Sequence, residues 1–240
     1  MGRWFSRRGL TAVTAVVGIA LGACGPTQYR YVRSPDSTTA FKIPSGWTTF
    51  GKQAFLHQSG PQPSTPDPIQ WLVGLDGDPR PSVDHILNMN ALDTSHPEGI
   101  ALVLTLSAAD RDRMSLEGIR NFLIPVDQLL NQGSDDADIL SYDDTLSPGG
   151  DLRGSRMSFE FRPSVLAELG ASSGQPSSSA GVGGTGSTAL SDDFVVMHQI
   201  VYLDQGTNRV YLMALFCDAR CDQRYSQDIQ STIDSWTVRP

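Results

Sequence analysis

The sequence has few lysines, few cysteines and no apolar stretch long enough to cross a membrane comfortably. Of its 240 residues only Lys42 and Lys52 are lysines, and 18 basic residues stand against 26 acidic ones, for a formal net charge of −8. Because an acidic surface repels a phosphate backbone, we expect no nucleic-acid partner. The 39% of apolar residues excludes a fully disordered chain and a protein with several membrane spans. The length suits one domain, or at most two, with a sizeable core.

The N-terminal segment has the features of an export signal. It opens with three basic residues, Arg3, Arg7 and Arg8, and residues 9–23 follow without a charge. That run is shorter than the roughly 20 residues a spanning helix needs, but it fits the apolar part of a signal peptide. It ends in Leu21-Gly22-Ala23-Cys24. This sequence resembles the lipobox of bacterial lipoproteins, in which the cysteine receives a diacylglycerol before cleavage.

The lipobox resemblance implies a mature protein that begins at Cys24. Residues 1–23 would be the signal peptide and residues 24–28 a short tether. An uncleaved anchor or an ordinary secretory signal are the alternatives, and Ser6-Arg7-Arg8 leaves twin-arginine export open. Removing residues 1–23 leaves 15 basic and 26 acidic residues, a net charge of −11. Since two acyl chains anchor stably and anionic headgroups repel an acidic domain, we expect a lipid-held domain that stands off the extracytoplasmic face of the cell membrane.

Two cysteines remain beside Cys24, namely Cys217 and Cys221. Outside the cytoplasm such a pair usually forms a disulfide. Their spacing is not that of a redox Cys-x-x-Cys motif, and a metal site would need further ligands. Because residues four apart on a regular helix do not easily close a disulfide, we expect a tight loop between them.

Periodicity predicts one α+β domain over residues 29–240, mostly antiparallel sheet. Alternating or continuous apolar patterns predict strands at residues 29–33, 69–75, 100–106, 138–145, 157–161, 194–203 and 210–216. Helical spacing predicts a long middle helix that Asp112 or Ser115 can cap and Gly133 can end, and Pro125 should kink or divide it. It also predicts a C-terminal helix from Tyr225 to Trp236. Residues 170–191 are dominated by Gly, Ser, Ala and Thr and carry no charge, which predicts a flexible insertion.

The order of these elements resembles a known fold. Phe41-x-Ile43-Pro44-x-Gly46-Trp47 follows the first strand, and a meander, a middle helix, a hairpin and a terminal helix come after it. This resembles the PsbP-like fold from about Tyr29 to Val238, in particular the small exported lipoproteins of actinobacteria often called Lpq-type. The resemblance implies a non-catalytic binding or assembly factor, and it carries over no catalytic residue.

Two enzyme-like patterns fall within the Gly/Ser-rich insertion. Residues 170–174 match G-x-S-x-G, and residues 181–186 match G-x-G-x-x-G. The first chemistry needs a strand-to-helix turn, and the second needs a strand before the motif and a helix after it. Low-complexity flanks supply neither context, so we interpret both matches as chance.

The histidines and acidic residues indicate no local metal motif. None of the four histidines has metal-ligand spacing. The twelfth residue counted from Asp76 is Leu87, which excludes an EF-hand but leaves an irregular calcium site open. His198 alternates with apolar residues and is predicted to be a hydrogen-bonded core histidine; a ligand cavity shared with Trp47 and Trp71 is the alternative. We predict no catalytic residue, metal or cofactor.

The sequence favours a lipid-anchored, non-enzymatic binding or envelope-assembly module. Its partners would be the membrane, through the anchor, and an envelope protein or a lipid ligand. A small-molecule or lipid carrier with a cavity between sheet and helix is the alternative, and a hydrolase is a third class. An apolar cavity of several hundred Å³ would favour the carrier, and a hydrogen-bonded Ser/His/Asp constellation the hydrolase. A filled core with an exposed apolar patch would favour the partner-binding module.

Overall fold

The structure, a computed structural model, describes residues 28–56, 67–87, 95–131, 137–146, 152–163, 194–206 and 208–239. The expected signal peptide, Cys24 and the Gly/Ser-rich insertion at residues 170–191 lie outside the described residues. Among the described helices, none combines the length and the apolar character that a membrane crossing requires.

The described strands form two antiparallel sheets. In chain order they are β1 (Tyr29–Arg33), β2 (Thr39–Pro44), β3 (Thr48–Gly51), β4 (Ile69–Asp76), β5 (Glu98–Thr105), β6 (Ala137–Leu146), β7 (Leu152–Phe161), β8 (Val195–Asp204), β9 (Arg209–Asp218) and β10 (Thr237–Val238). The small sheet has the order β1-β2-β10 and the large sheet the order β3-β4-β5-β9-β8-β7-β6. All neighbouring strands run antiparallel. The predicted α+β class with a mostly antiparallel sheet is confirmed.

The helices within the described residues lie on both faces of the large sheet. They are α1 (Lys52–Leu56), α2 (Val83–Leu87), α3 (Ala108–Arg113), α4 (Leu116–Arg120), α5 (Val126–Asn131) and α6 (Ala219–Asp234). The predicted C-terminal helix is confirmed as α6. The long middle helix is not found as one helix, because α4 ends at Arg120 and α5 begins only at Val126. Pro125 has no N–H to donate to a preceding turn, and its carbonyl accepts the N–H groups of Gln128 and Leu129, so that a new helix starts there.

Two apolar cores pack against the two faces of the large sheet. The first core lies beneath α6 and the small sheet and includes Phe41, Trp47 and Ile233. The second core lies on the other face, where α4 and α5 contribute Ile119 and Leu129. The central strands β5, β9 and β8 are covered on both faces, which explains their continuous apolar sequences.

The disulfide joins the end of β9 to the first turn of α6. Cys217 and Cys221 are bonded with their Cα atoms 5.8 Å apart. The tight loop that we expected here is instead a strand end followed at once by a helix, with Asp218 as the N-cap in an extended conformation. Its side chain accepts the N–H of Cys221 at 2.7 Å. Because Cys217 precedes the cap, the two cysteines do not share a regular helix, and the bond can form.

Candidate functional site

An apolar groove of about 350 Å³ opens beside the end of β5. Its walls are mainly apolar side chains, those of Pro68, Leu104, Leu106, Met114 and Phe122, with Asp110 also lining it. Backbone hydrogen bonds fix these walls, since the N–H of Thr105 donates to the carbonyl of Pro68 and the N–H of Leu106 to that of Asn208. Ser107 caps α3 and holds Asp110. The volume is at the lower end of the range for small-molecule sites and suits an apolar side chain or a short acyl segment.

His198 lies between a serine and a carboxylate on the opposite face of the large sheet. Ser158 on β7 is its direct cross-strand partner, and Asp222 lies in the first turns of α6. The His198 Nδ1 atom is 2.7 Å from Ser158 Oγ, and its Nε2 atom is 2.7 Å from Asp222 Oδ1. The histidine is only 7% exposed. It is therefore the hydrogen-bonded core histidine that the strand pattern predicts.

This Ser/His/Asp arrangement meets the hydrogen-bond criterion for an activated nucleophile, but its surroundings differ from those of a hydrolase site. Ser158 lies within the regular ladder of β7 and not at a sharp strand-to-helix turn. The apolar groove is on the other face of the sheet, so a molecule bound there cannot reach Ser158. The network gives both ring nitrogens of the buried His198 a hydrogen-bond partner, and it links α6 to β7 and β8.

The three residues expected to line a ligand cavity share one face of the sheet but are spread along it. Trp47 and Trp71 pack in the first core, and the ring centroid of Trp71 is 6.2 Å from that of Phe41. Trp71 is on β4 and His198 on β8, with β5 and β9 between them. Three strand spacings amount to about 14 Å, so the structure does not gather these residues into one cluster.

Two buried carboxylates and an imidazole meet where β4 ends and β5 begins. Asp76 and Glu98 are direct cross-strand partners, 0% and 4% exposed respectively. His85 on α2 places its Nδ1 atom 2.9 Å from Asp76 Oδ2. One ligand atom from each of the three residues lies within 4.8 Å of the other two, a group that could hold a metal ion. Sequence reasoning missed it because only the strand register brings Glu98 opposite Asp76.

Main-chain donors hold the Asp76 carboxylate in place. The N–H of Asp78 donates to Oδ1 at 2.7 Å and the N–H of Ser82 to Oδ2 at 2.8 Å. Beside the cluster, His96 Nδ1 is 3.2 Å from Asp78 Oδ2. Main-chain hydrogen bonds thus hold the loop between β4 and α2 to the Asp76 carboxylate.

Neither models of protein families nor curated protein sequences match this chain. Solved structures similar to it include the Saccharomyces cerevisiae Ran-binding protein Mog1p, with 12% identity, a TM-score of 0.41, and coverage of 88% of this chain and 96% of that one. Cyanobacterial PsbP (CyanoP) from Synechocystis sp. PCC 6803 has 8% identity, a TM-score of 0.38, and coverage of 90% and 96%. A Pseudomonas aeruginosa protein of unknown function, PA94, described as a putative regulator, has 8% identity, a TM-score of 0.36, and coverage of 88% and 98%. A PsbP protein is therefore among the structures that this chain resembles, but similarity this loose carries no argument about function.

Proposed function

We propose that this protein is a lipid-anchored, PsbP-like lipoprotein of the extracytoplasmic face of the cell membrane, and that it acts by binding and not by catalysis. The observation that carries the proposal is the sequence Leu21-Gly22-Ala23-Cys24 behind a basic region and an uncharged stretch. The first strand in the described part of the chain, β1, begins at Tyr29, five residues after Cys24. A tether of that length reaches at most roughly 17 Å, which would set the largest distance at which the folded domain could stand off the bilayer.

The binding role is supported by the groove beside β5. Its lining of leucine, methionine and phenylalanine side chains offers apolar surface, and the residues that line it include neither serine, cysteine nor histidine. Such a surface suits an apolar side chain of an envelope protein, which would enter the groove as an anchor residue of an interface. The burial of His198 and the position of Ser158 within the regular ladder of β7 support the non-enzymatic part of the proposal.

A carrier for a small molecule or a lipid is the second candidate, because the same groove could take a short acyl segment. Solvent extraction of the purified protein, followed by mass spectrometry, distinguishes the two roles. A lipid found at one molecule per chain would favour the carrier. Extracts without lipid, together with a protein partner recovered by cross-linking at Leu106, would favour the binding module.

The lipid anchor is tested by the substitution Cys24→Ala. We expect wild-type protein in the membrane fraction and the variant in the soluble fraction, because the variant lacks the thiol that receives the diacylglycerol. The measurement is fractionation followed by immunoblotting, together with the intact mass of wild-type protein, which should correspond to a chain beginning at an acylated Cys24. The double substitution Cys217→Ser with Cys221→Ser serves as the matched control and should stay in the membrane fraction. Membrane retention of the Cys24→Ala variant would overturn the lipoprotein proposal.

A further inference from the structure

We propose that Asp76, His85 and Glu98 form a binding site for a divalent transition-metal ion of the zinc class. The three residues come from the end of β4, from α2 and from the start of β5. They are therefore held by three separate elements, each fixed by the fold. One imidazole nitrogen and two carboxylate oxygens, all within 4.8 Å of one another, could be bridged by a single ion.

The charges of the cluster favour a cation. Asp76 and Glu98 lie opposite each other on paired strands, and both are almost completely buried. Two negative charges on directly paired positions, with little water around them, destabilise each other. The described residues supply Asp76 with one basic partner, the imidazole of His85. A bound divalent ion would neutralise both carboxylates at once, and it would replace the proton between His85 Nδ1 and Asp76 Oδ2.

The donor set indicates which class of ion would bind. Imidazole nitrogen is a good ligand for zinc and its neighbours among the transition metals, whereas calcium takes six to eight oxygen ligands and magnesium keeps most of its water. Three protein ligands with a fourth position for water is the arrangement of an open zinc site. We therefore expect zinc to bind, and calcium to bind far more weakly.

The site is held in position and is accessible. The N–H groups of Asp78 and Ser82 orient the Asp76 carboxylate, as hydrogen bonds from outside a metal site commonly do for its ligands. The His85 side chain is 37% exposed, which gives an ion a path from solvent. Asp78 and His96 pair with each other beside the cluster, and this neighbouring pair supplies a control for the experiment.

The proposal is tested by titrating zinc into the purified full-length mature protein. Calorimetry should give one zinc per chain. At zinc concentrations about a hundredfold above the Kd, the midpoint of thermal unfolding should rise by roughly 5–10 °C. Cobalt should give the visible absorption of a low-symmetry bound ion, and millimolar calcium should neither shift the midpoint nor displace zinc.

Variants decide whether these three residues are the ligands. Glu98→Gln and His85→Gln should each weaken zinc binding by at least about tenfold while the apo proteins keep a cooperative unfolding transition. Asp76 is left intact because its carboxylate also organises the loop. The matched control His96→Gln changes a histidine that lies beside the cluster but outside the trio, and this variant should bind zinc as wild type does. Absence of zinc binding by the wild type, or wild-type affinity in His85→Gln, would overturn the proposal.

Discussion

Asp127 shows at the scale of a single residue how the chain joins α4 to α5. Its Oδ2 atom accepts hydrogen bonds from the Arg120 guanidinium at 2.7 Å and from the Asn121 amide at 2.5 Å. In return, Asn121 Oδ1 accepts the N–H of Asp127 at 2.9 Å. The hydrogen bond from Arg120, with that from Asn121, lowers the pKa of Asp127 from its ordinary value of 3.8. The carboxylate is therefore stabilised in its charged form.

The substitution Asp127→Asn should lower the free energy of unfolding by about 0.5–1 kcal/mol at pH 7. The loss is small because both partners are about a quarter exposed, so that solvent screens the pair. A carboxyl group with a lowered pKa in the folded state stabilises the fold above its unfolded pKa and loses that contribution as the pH falls through the folded pKa. Urea unfolding should therefore show a constant difference between wild type and variant from pH 7 to about pH 5, and a shrinking one below about pH 4.

Asp138→Asn, at an exposed position of edge strand β6, provides the control for this pH series. Because Asp138 lies opposite Glu160 and not opposite a basic residue, this variant should not lower the free energy of unfolding. If Asp127→Asn lost as much stability at pH 3.5 as at pH 7, the effect would come from packing or from the helix start and not from charge.

At the scale of elements, strands were predictable because their signal is local. The alternation of Met157, Phe159 and Phe161 is seen in β7, and the apolar run around Leu102 is a strand covered on both faces. Helix α3 was not predicted, because its sequence, AADRDR, has no apolar stripe. Its start does carry a local signal, since Ser107 and Asp110 form a capping pair. The division of the middle helix was predictable from Pro125, but the contact between Asn121 and Asp127 across the turn was not, because helical periodicity does not reveal it.

The cluster of Asp76, His85 and Glu98 was harder to predict from the sequence than the strands and helices. From the sequence, His85 was one of four histidines without ligand spacing, and Asp76 was the start of an acidic segment that left an irregular calcium site open. Their meeting with Glu98 depends on the β4–β5 register and on the docking of α2, with Ile86 buried. Pairings of this kind are set by tertiary packing, so one sequence without its fold cannot specify them.

The disulfide at the start of α6 should contribute about 2 kcal/mol to stability, because it closes a short loop in the unfolded chain. The double substitution Cys217→Ala with Cys221→Ala should therefore lower the midpoint of thermal unfolding by roughly 4–8 °C. Scanning calorimetry of wild type with and without reductant provides the comparison. Reductant should lower the wild-type midpoint and leave the double variant unchanged; a wild type indifferent to reductant would contradict a stabilising bond.

At the scale of the whole molecule, the large sheet separates the functional candidates. The groove lies on the face covered by α4 and α5, and the His198 network lies beneath α6. The proposed metal site occupies the margin where β4 passes into α2. These sites lie in different parts of the sheet and share no residues. A substitution in one site should therefore leave ligand binding at another unchanged. A groove variant such as Leu106→Glu should thus leave zinc affinity intact.

The insertion between β7 and β8 can be judged from its two ends. Phe161 at the end of β7 pairs directly with Val195 at the start of β8, although 33 residues connect them. Antiparallel neighbours need only a short hairpin to connect them. The composition of residues 170–191 therefore predicts that most of this connection contributes nothing to the cores.

Deleting Gly174–Gly186 leaves 20 residues, ample to close the turn. The shorter loop should cost about 0.4 kcal/mol less to close, so the midpoint of thermal unfolding should stay the same or rise by 1–2 °C. A variant with the same 13 residues in scrambled order should unfold as wild type does. A fall of more than about 5 °C on deletion would mean that the segment packs against the domain, and its G-x-S-x-G and G-x-G-x-x-G sequences would then need a structural interpretation.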